Sequence, residues 1–229
     1  MSRRAHHNIA CPQCRSAQSV ELYDSINTAE DPGLREDLMA NRLNVVTCAA
    51  CGFRFRVDKP LLYHDSARGF LIWLQPAAED AADAVEREFR DTSLRVQRAL
   101  PDGAPAPALH LVLDRVELVE RIFLLEAGLD ARLIEYVKHA IYTKNLARLD
   151  PARKRLLFNA QDSDAERLVF VVQDAGTRRL ETVIHYRREA YNALAEMFDD
   201  DAQTAQLLDL FPGPYISARR LLLAPSKKG

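Results

Sequence analysis

Cys11-Pro12-Gln13-Cys14 and, after a gap of 33 residues, Cys48-Ala49-Ala50-Cys51-Gly52 contain all four cysteines of this 229-residue chain. In each stretch the two-residue gap lets one tight turn direct both thiolates toward the same ion. Two such turns complete a tetrahedral site of four sulfurs, which leaves no coordination position for water and is typical of structural zinc. The sequence therefore predicts one structural Zn²⁺ bound by Cys11, Cys14, Cys48 and Cys51.

The spacing of these cysteines also permits interpretations other than a structural zinc site. Iron binds four thiolates as zinc does, so the ligand type leaves iron open. Disulfides require an oxidising compartment, and the chain start carries no export signal. A thioredoxin-like redox pair places its first cysteine at a helix N-terminus, whereas residues 15–19 have no helical periodicity. His6 and His7 are further candidate ligands, although their position near the chain start predicts a frayed end.

Alternation of apolar and polar residues predicts strands over residues 19–23 and 53–57, and residues 43–47 and the short apolar run 69–74 are predicted strands as well. Between the first two strands, Asp31 is a predicted helix N-cap with Pro32 at the first helical position, and the helix ends near Asn41. Gly52 supplies the positive φ that follows the second turn, whereas Arg15 occupies the equivalent position of the first. We expect residues 1–76 to form a zinc-ribbon-like antiparallel sheet with an inserted helix.

Several stretches of the sequence resemble the bacterial CpXC-motif proteins. They are Cys11-Pro12-Gln13-Cys14, Asp24-Ser25-Ile26-Asn27, Leu43-Asn44-Val45-Val46-Thr47-Cys48, Pro60-Leu61-Leu62-Tyr63-His64-Asp65 and Ile72-Trp73-Leu74. The likeness continues through residues 117–122 and 126–130 and covers most of residues 8–140. The resemblance implies a similar fold with a metal site on the cysteine pairs, and it implies no reaction. Ala49 stands where family members often have proline, which leaves the ligands intact.

The rest of the chain predicts helices and strands in a second domain. Residues 77–100 are a predicted helical connector, with a helix over 78–90 that Asp91-Thr92-Ser93 ends. The proline-rich stretch 101–108 predicts a linker. Residues 109–229 predict an α+β domain with a helix pair divided at Gly128, an antiparallel meander and further helices. The fold class expected for the whole chain is therefore α+β.

Composition and charge restrict the classes of function. The chain has 31 Lys and Arg against 33 Asp and Glu, a formal charge of −2, and 48% hydrophobic residues, which is typical of a soluble globular protein. No apolar run approaches the ~20 residues that span a bilayer, and the first residues lack the apolar segment of a signal peptide. We expect a cytoplasmic protein with no membrane contact. Residues 1–60 hold eight basic and seven acidic side chains, so nucleic acid is not an expected partner.

The polar cluster best suited to catalysis is His64 beside Asp65, because a histidine next to a carboxylate can act as a general base. Asp24 joins this cluster if the first and third strands are neighbours. Adjacent residues of a strand point to opposite faces, however, and the stretch is typical of a turn that closes the third strand onto the fourth. Catalysis is therefore an alternative and not the main interpretation.

Two patterns support a nucleic-acid alternative. Phe53-Arg54-Phe55-Arg56 interleaves aromatic and basic residues as single-stranded nucleic-acid sites do, yet alternation places the phenylalanines on one face and the arginines on the other. The helix pair resembles a helix-turn-helix. Its second helix is only mildly basic, with Arg132, Glu135, Lys138, His139 and Lys144, and the basic residues of the tail are Arg219, Arg220, Lys227 and Lys228.

Taken together, these observations favour a protein-interaction or scaffold module that has a structural zinc site of four cysteines and no catalytic activity. Its expected partner is another protein. The first alternative is a zinc-ribbon nucleic-acid-binding protein that acts through Arg54, Arg56 and the basic tail. The second is an enzyme that uses His64 with Asp65 or Asp24.

Overall fold

Ten strands and seven α-helices form within residues 2–99 and 107–224, which are the residues that the computed structural model describes. The strands are β1 Arg3–Ala10, β2 Ala17–Asn27, β3 Val45–Thr47, β4 Arg54–Arg56, β5 Leu61–Asp65, β6 Phe70–Leu74, β7 Ala108–Val112, β8 Lys154–Asn159, β9 Arg167–Asp174 and β10 Leu180–Arg187. The helices are α1 Pro32–Met39, α2 Ala82–Ala99, α3 Arg115–Glu126, α4 Ala131–Lys144, α5 Arg188–Met197, α6 Asp201–Leu210 and α7 Ala218–Leu223, with a short 3₁₀ helix, Glu79–Ala81, before α2. The mixture agrees with the predicted α+β class.

The chain divides into two compact units, Met1–Leu118 and Val119–Gly229. The sequence instead placed the start of the second domain at residue 109. Strand β7, however, pairs in parallel with β6, with His110 opposite Ile72, so it completes the sheet of the first unit. A long-range pairing of this kind leaves no local mark in the sequence. Most of the predicted linker 101–108 lies outside the described residues, and Ala108 begins β7.

The first unit contains a five-stranded sheet in the order β1-β2-β5-β6-β7. The expectation of an antiparallel sheet over residues 1–76 is wrong for the pairing of β2 with β5, which is parallel, and β7, from outside that range, adds a second parallel pairing with β6. A parallel pairing needs a long crossover to return the chain to the same end of the sheet. The segment between β2 and β5 provides one crossover, with α1 and the separate β3–β4 hairpin, and the segment containing α2 provides the other.

Two local predictions in this unit are also wrong. The first residues are not frayed: β1 is an eight-residue strand that pairs antiparallel with β2, with Ala10 opposite Ala17 across the first cysteine turn. Helix α2 continues through Asp91-Thr92-Ser93 to Ala99. These three residues are only weakly unfavourable in a helix, at less than about 1 kcal/mol each, and the hydroxyl of Ser93 donates to the carbonyl of Arg90. The ring of Phe89 also packs edge-on against Trp73 of β6.

The core of the first unit follows the alternation of its central strands. In β5 and β6 every second side chain is buried, including Tyr63 and Ile72, which are fully enclosed. Ile26 of β2 lies opposite Tyr63 and is buried at the same level, so this face of the core extends across three neighbouring strands. The buried Leu111 of β7 lies opposite Trp73, on the other face of the sheet. This sheet holds β2 in place, and β2 leads directly from the first cysteine turn.

The second unit confirms the predicted antiparallel meander, in the order β10-β9-β8. Its apolar core combines the inner faces of α4 and β9, with Ile134, Val137, Leu168 and Phe170 buried. Helix α4 begins with a side-chain cap. Asp130 accepts a hydrogen bond from the backbone N–H of Leu133 at 2.9 Å. No helix among residues 2–99 and 107–224 is both long and apolar enough to cross a membrane.

Candidate metal centre

The four cysteine sulfurs converge at one point in the first unit, where they all lie within 4.8 Å of one another. The Sγ atoms of Cys11 and Cys51 are 3.7 Å apart, and those of Cys14 and Cys48 are 3.6 Å apart. A tetrahedral site with metal–sulfur bonds of about 2.3 Å has sulfur–sulfur edges of roughly 3.8 Å. These two sulfur–sulfur distances match such an edge, so the four predicted ligands could hold one metal ion. Cys11 and Cys48 are buried and the other two are exposed.

The two cysteine turns share one hydrogen-bonding pattern. In the first, the N–H of Cys11 donates to the carbonyl of Ser16 at 3.0 Å and the N–H of Arg15 donates to the carbonyl of Cys11 at 2.9 Å. In the second, the N–H of Cys48 donates to Phe53 and the N–H of Gly52 donates to Cys48, both at 2.9 Å. Each turn therefore needs a left-handed residue directly after its second cysteine.

Arg15 and Gly52 both adopt that left-handed conformation, with φ of 61° and 72°. Glycine does so without steric cost, whereas a residue with a β-carbon is disfavoured by roughly 1–2 kcal/mol. The first turn therefore forms against a backbone penalty that the second turn lacks.

The second turn joins β3 to β4 in a hairpin whose strands have only three residues each. An isolated hairpin of this size is marginal in water, so it needs outside support. One support is a hydrogen bond from the N–H of Ala49 to the side-chain carbonyl of Gln18 at 2.9 Å, which ties the hairpin to β2. The sulfur cluster is the second connection between the same two elements.

Electrostatics in the cluster favour binding of a cation. The backbone N–H of Cys51, together with that of Ala50, donates to the Cys48 sulfur and lowers the pKa of Cys48 to about 7 against the effect of burial. The N–H of Phe53 favours the Cys51 thiolate in the same way, but burial and the neighbouring sulfurs outweigh it and raise the pKa of Cys51 to about 12. Four closely spaced thiolates repel one another, and a divalent cation removes that repulsion.

The alternative uses of the cysteines fit this geometry less well. A disulfide requires sulfurs about 2.05 Å apart, whereas all four cysteines are free thiols here. A thioredoxin-like pair precedes a helix, whereas Cys14 is followed by strand β2. His6 and His7 lie on β1 and are not part of the sulfur cluster.

The structure does not assemble the polar cluster of His64, Asp65 and Asp24. These residues are on strands, and the predicted turn lies instead after Asp65, at residues 66–69. The buried carboxylate of Asp65 accepts hydrogen bonds from the backbone N–H of Arg68 at 3.1 Å and from its guanidinium at 2.8 Å. Within the described residues no hydrogen bond or ion pair joins the imidazole of His64 to a carboxylate.

Asp24 belongs to a different cluster, which the sequence did not reveal. Its Oδ1 lies 2.9 Å from Nε2 of His7 and accepts a hydrogen bond from the Lys59 ammonium. Partial burial acts to raise the pKa of Asp24, but Lys59 and then His7 outweigh it and lower that pKa below its ordinary value. The contact joins β1, β2 and Lys59, which lies two residues before β5, so no local pattern predicts it.

The structure places the three features that suggested nucleic-acid binding, namely the Phe-Arg strand, helix α4 and the basic tail, in different surroundings. The rings of Phe53 and Phe55 stack with centroids 6.1 Å apart, which confirms that they share one face. On α4, Glu135 and Lys138 are buried, so they are not available to a DNA groove. Arg219 donates to the carbonyl of Pro151, and Lys227 and Lys228 lie outside the described residues.

The fold and the site define a mixed α+β protein whose first unit places four cysteines where they could hold one metal ion. The model of the CpXC protein family matches residues 9–138, which is more than half of the chain, and includes both cysteine pairs. The chain belongs to the CpXC protein family. No curated protein and no solved structure matches it.

Proposed function

We propose that Cys11, Cys14, Cys48 and Cys51 bind one Zn²⁺ as a structural centre, and that the protein acts by binding another protein and not by catalysis. The convergence of four sulfurs within 4.8 Å, with two sulfur–sulfur distances close to a tetrahedral edge, carries the first part of the proposal. Four thiolates fill the coordination sphere of zinc, so no position is left for a reacting water. Free thiols at this site fit a reducing compartment such as the cytoplasm.

The proposed role of the zinc is to hold the β3–β4 hairpin against the β1–β2 hairpin. Each hairpin supplies two ligands from its turn, and the hydrogen bond from Ala49 to Gln18 is the neighbouring direct link. Structural zinc contributes on the order of 10 kcal/mol to folding in small modules of this type. Zinc suits this role better than iron because it has no redox chemistry.

Metal analysis and cysteine substitution test the zinc site. Purified protein should contain about one zinc per chain, without the visible absorption of an iron–thiolate centre. Cys51→Ser should lose the metal and unfold the hairpin, whereas Ala50→Ser in the same turn should keep both. Absence of metal from the wild type, or an unchanged hairpin in Cys51→Ser by NMR, would contradict the proposal.

The proposed protein partner is supported by β10, an edge strand of the meander. Leu180 and Val183 on this strand are 66% and 45% exposed, although both are apolar. The outer edge of β10 pairs with no other strand in the described part of the chain. An exposed edge strand offers backbone N–H and C=O groups to which a partner can add a strand.

A photo-crosslinker at position 183 in cells should capture a distinct protein, and the purified pair should then form a complex. Val183→Lys should weaken that complex at least tenfold, whereas Met197→Lys, at another exposed apolar position, should leave it unchanged. Capture of nothing, or equal effects of both substitutions, would contradict binding through β10.

A further inference from the structure

An open depression of about 560 Å³ lies beside the β3–β4 hairpin of the first unit. Three arginines line it: Arg42 after α1, and Arg54 and Arg56 on β4. The remaining lining residues are Ala40, Asn41, Val45 and Phe55. No acidic residue lines the depression, so its walls combine positive charge with neutral groups.

The carboxylates nearby neutralise these arginines only in part. Arg42 pairs with Asp37 at 2.8 Å and Arg56 pairs with Asp58 at 2.9 Å. Both carboxylates are solvent-exposed, at 41% and 60%, and exposed pairs of this kind contribute little to stability. Within the described residues, Arg54 has no hydrogen bond or ion pair. Its guanidinium is therefore available to a ligand.

A fourth guanidinium lies behind the wall of the depression. The side-chain oxygen of Asn41 accepts a hydrogen bond from Arg56 at 3.2 Å and another from Arg115 at 2.9 Å. Two positive groups thus converge on one neutral oxygen. Burial lowers the pKa of Arg115 from its ordinary value, and the charge of Arg56 lowers it further, which reports repulsion between the two arginines.

The backbone at Asn41 is fixed, so this arrangement is preformed. Asn41 ends α1 in the left-handed conformation, with φ of 58°. Its N–H donates to the carbonyl of Leu38 and the N–H of Arg42 donates to that of Asp37, which is the Schellman pattern of a helix C-terminus. The guanidinium of Arg115 also donates to the carbonyl of Leu38. These bonds hold Arg42 and Asn41 at the rim of the depression.

We propose that this depression binds a small phosphate-bearing molecule. Guanidinium groups recognise phosphate through paired, charge-assisted hydrogen bonds, and a bound anion would relieve the repulsion among the arginines. The volume exceeds that of one phosphate group, so the depression has room for a ligand that extends beyond its phosphate. A small molecule fits better than nucleic acid, because residues 1–60 carry a nearly balanced charge, with eight basic and seven acidic side chains.

Calorimetric titration of the metal-loaded full chain with inorganic pyrophosphate tests the site. We expect one binding event per chain at fixed ionic strength. Arg54→Gln should weaken it about tenfold, because that arginine has no other partner to lose. Arg87→Gln removes an exposed arginine of α2 that does not line the depression, and it should change the affinity less than twofold. Circular dichroism and metal content should be the same in all three proteins.

Three results would overturn the proposal. One is no binding at millimolar pyrophosphate, and another is equal weakening by the two substitutions. The third is binding of single-stranded oligonucleotides that increases with their length while pyrophosphate does not bind, which would assign the arginines to nucleic acid. The metal content is measured separately, so failure of phosphate binding is distinguishable from failure of the zinc site.

Discussion

At positions 15 and 52, a variant with glycine should bind zinc more tightly than the variant with alanine. The ratio of the two affinities should be similar at both positions. The two positions have the same backbone hydrogen bonds and φ of 61° and 72°. A β-carbon in this conformation costs roughly 1–2 kcal/mol, whereas glycine loses about 0.4–1 kcal/mol more conformational freedom on ordering. The net effect favours glycine over alanine by about 1 kcal/mol in the free energy of ordering the turn. This corresponds to about a fivefold difference in zinc affinity.

Steric contacts do not complicate the comparison at position 52, because a β-carbon there would meet no heavy atom within 4 Å. The assay is competition for Zn²⁺ against a chromophoric chelator, since only the ordered turn presents both of its thiolates to the metal. Gly52→Ala should weaken zinc binding about fivefold relative to the wild type. Arg15→Gly should bind zinc about fivefold more tightly than Arg15→Ala.

Arg15→Ala is the matched control, because it removes the positive charge near the thiolates while keeping a β-carbon. The comparison of glycine with alanine at position 15 therefore isolates the backbone from the charge. If Arg15→Gly binds zinc no more tightly than Arg15→Ala, or if Gly52→Ala does not weaken binding, the shared left-handed geometry is not the cause of the penalty.

Three further predictions concern other parts of the chain. Lys138 lies 2.6 Å from Glu120 and 2.7 Å from Glu135 in the second unit, so Lys138→Met should leave two buried carboxylates without a cation and cost about 3–5 kcal/mol in urea unfolding; a loss below about 1 kcal/mol would contradict this. Asp24→Asn should cost about 1 kcal/mol at pH 7, allowing for solvent screening. Because the folded pKa of Asp24 is lowered, that cost should shrink in unfolding curves as the pH falls below 3.8, and a cost independent of pH would contradict the assignment. The Tyr142 hydroxyl donates to one backbone carbonyl and accepts from one backbone N–H, so Tyr142→Phe should lower the free energy of unfolding by about 1–3 kcal/mol; a neutral effect in the same assay would show that water replaces the hydroxyl.

Local sequence patterns predicted the cysteine turns and many of the secondary-structure elements. The two-residue gaps, Gly52 after the second pair and the short apolar run of β6 all act over a few residues, so each can be recognised from the local sequence alone. Helix α2 was harder, because Asp91-Thr92-Ser93 disfavours a helix only weakly and the contact between Phe89 and Trp73 is long-range.

The polar sites could not be predicted in the same way. His64 and Asp65 are adjacent in the sequence, yet the strand directs them apart and Arg68 occupies the carboxylate. The carboxylate of Asp24 contacts His7 and Lys59, which come from two other parts of the chain. Nearness in the sequence was therefore a poor guide to which titratable groups meet.

The sequence by itself determined the four candidate sulfur ligands, because each pair is presented by one short turn whose geometry depends mainly on its own residues. The tertiary structure decided which strands are parallel, to which unit β7 belongs and where the arginines of the hairpin gather. Those outcomes depend on hydrogen bonds and burial between segments tens of residues apart, such as β6 with β7 and Asn41 with Arg115. Local propensities do not encode such contacts, whereas the spacing of the cysteines within each turn does encode half of the candidate metal site.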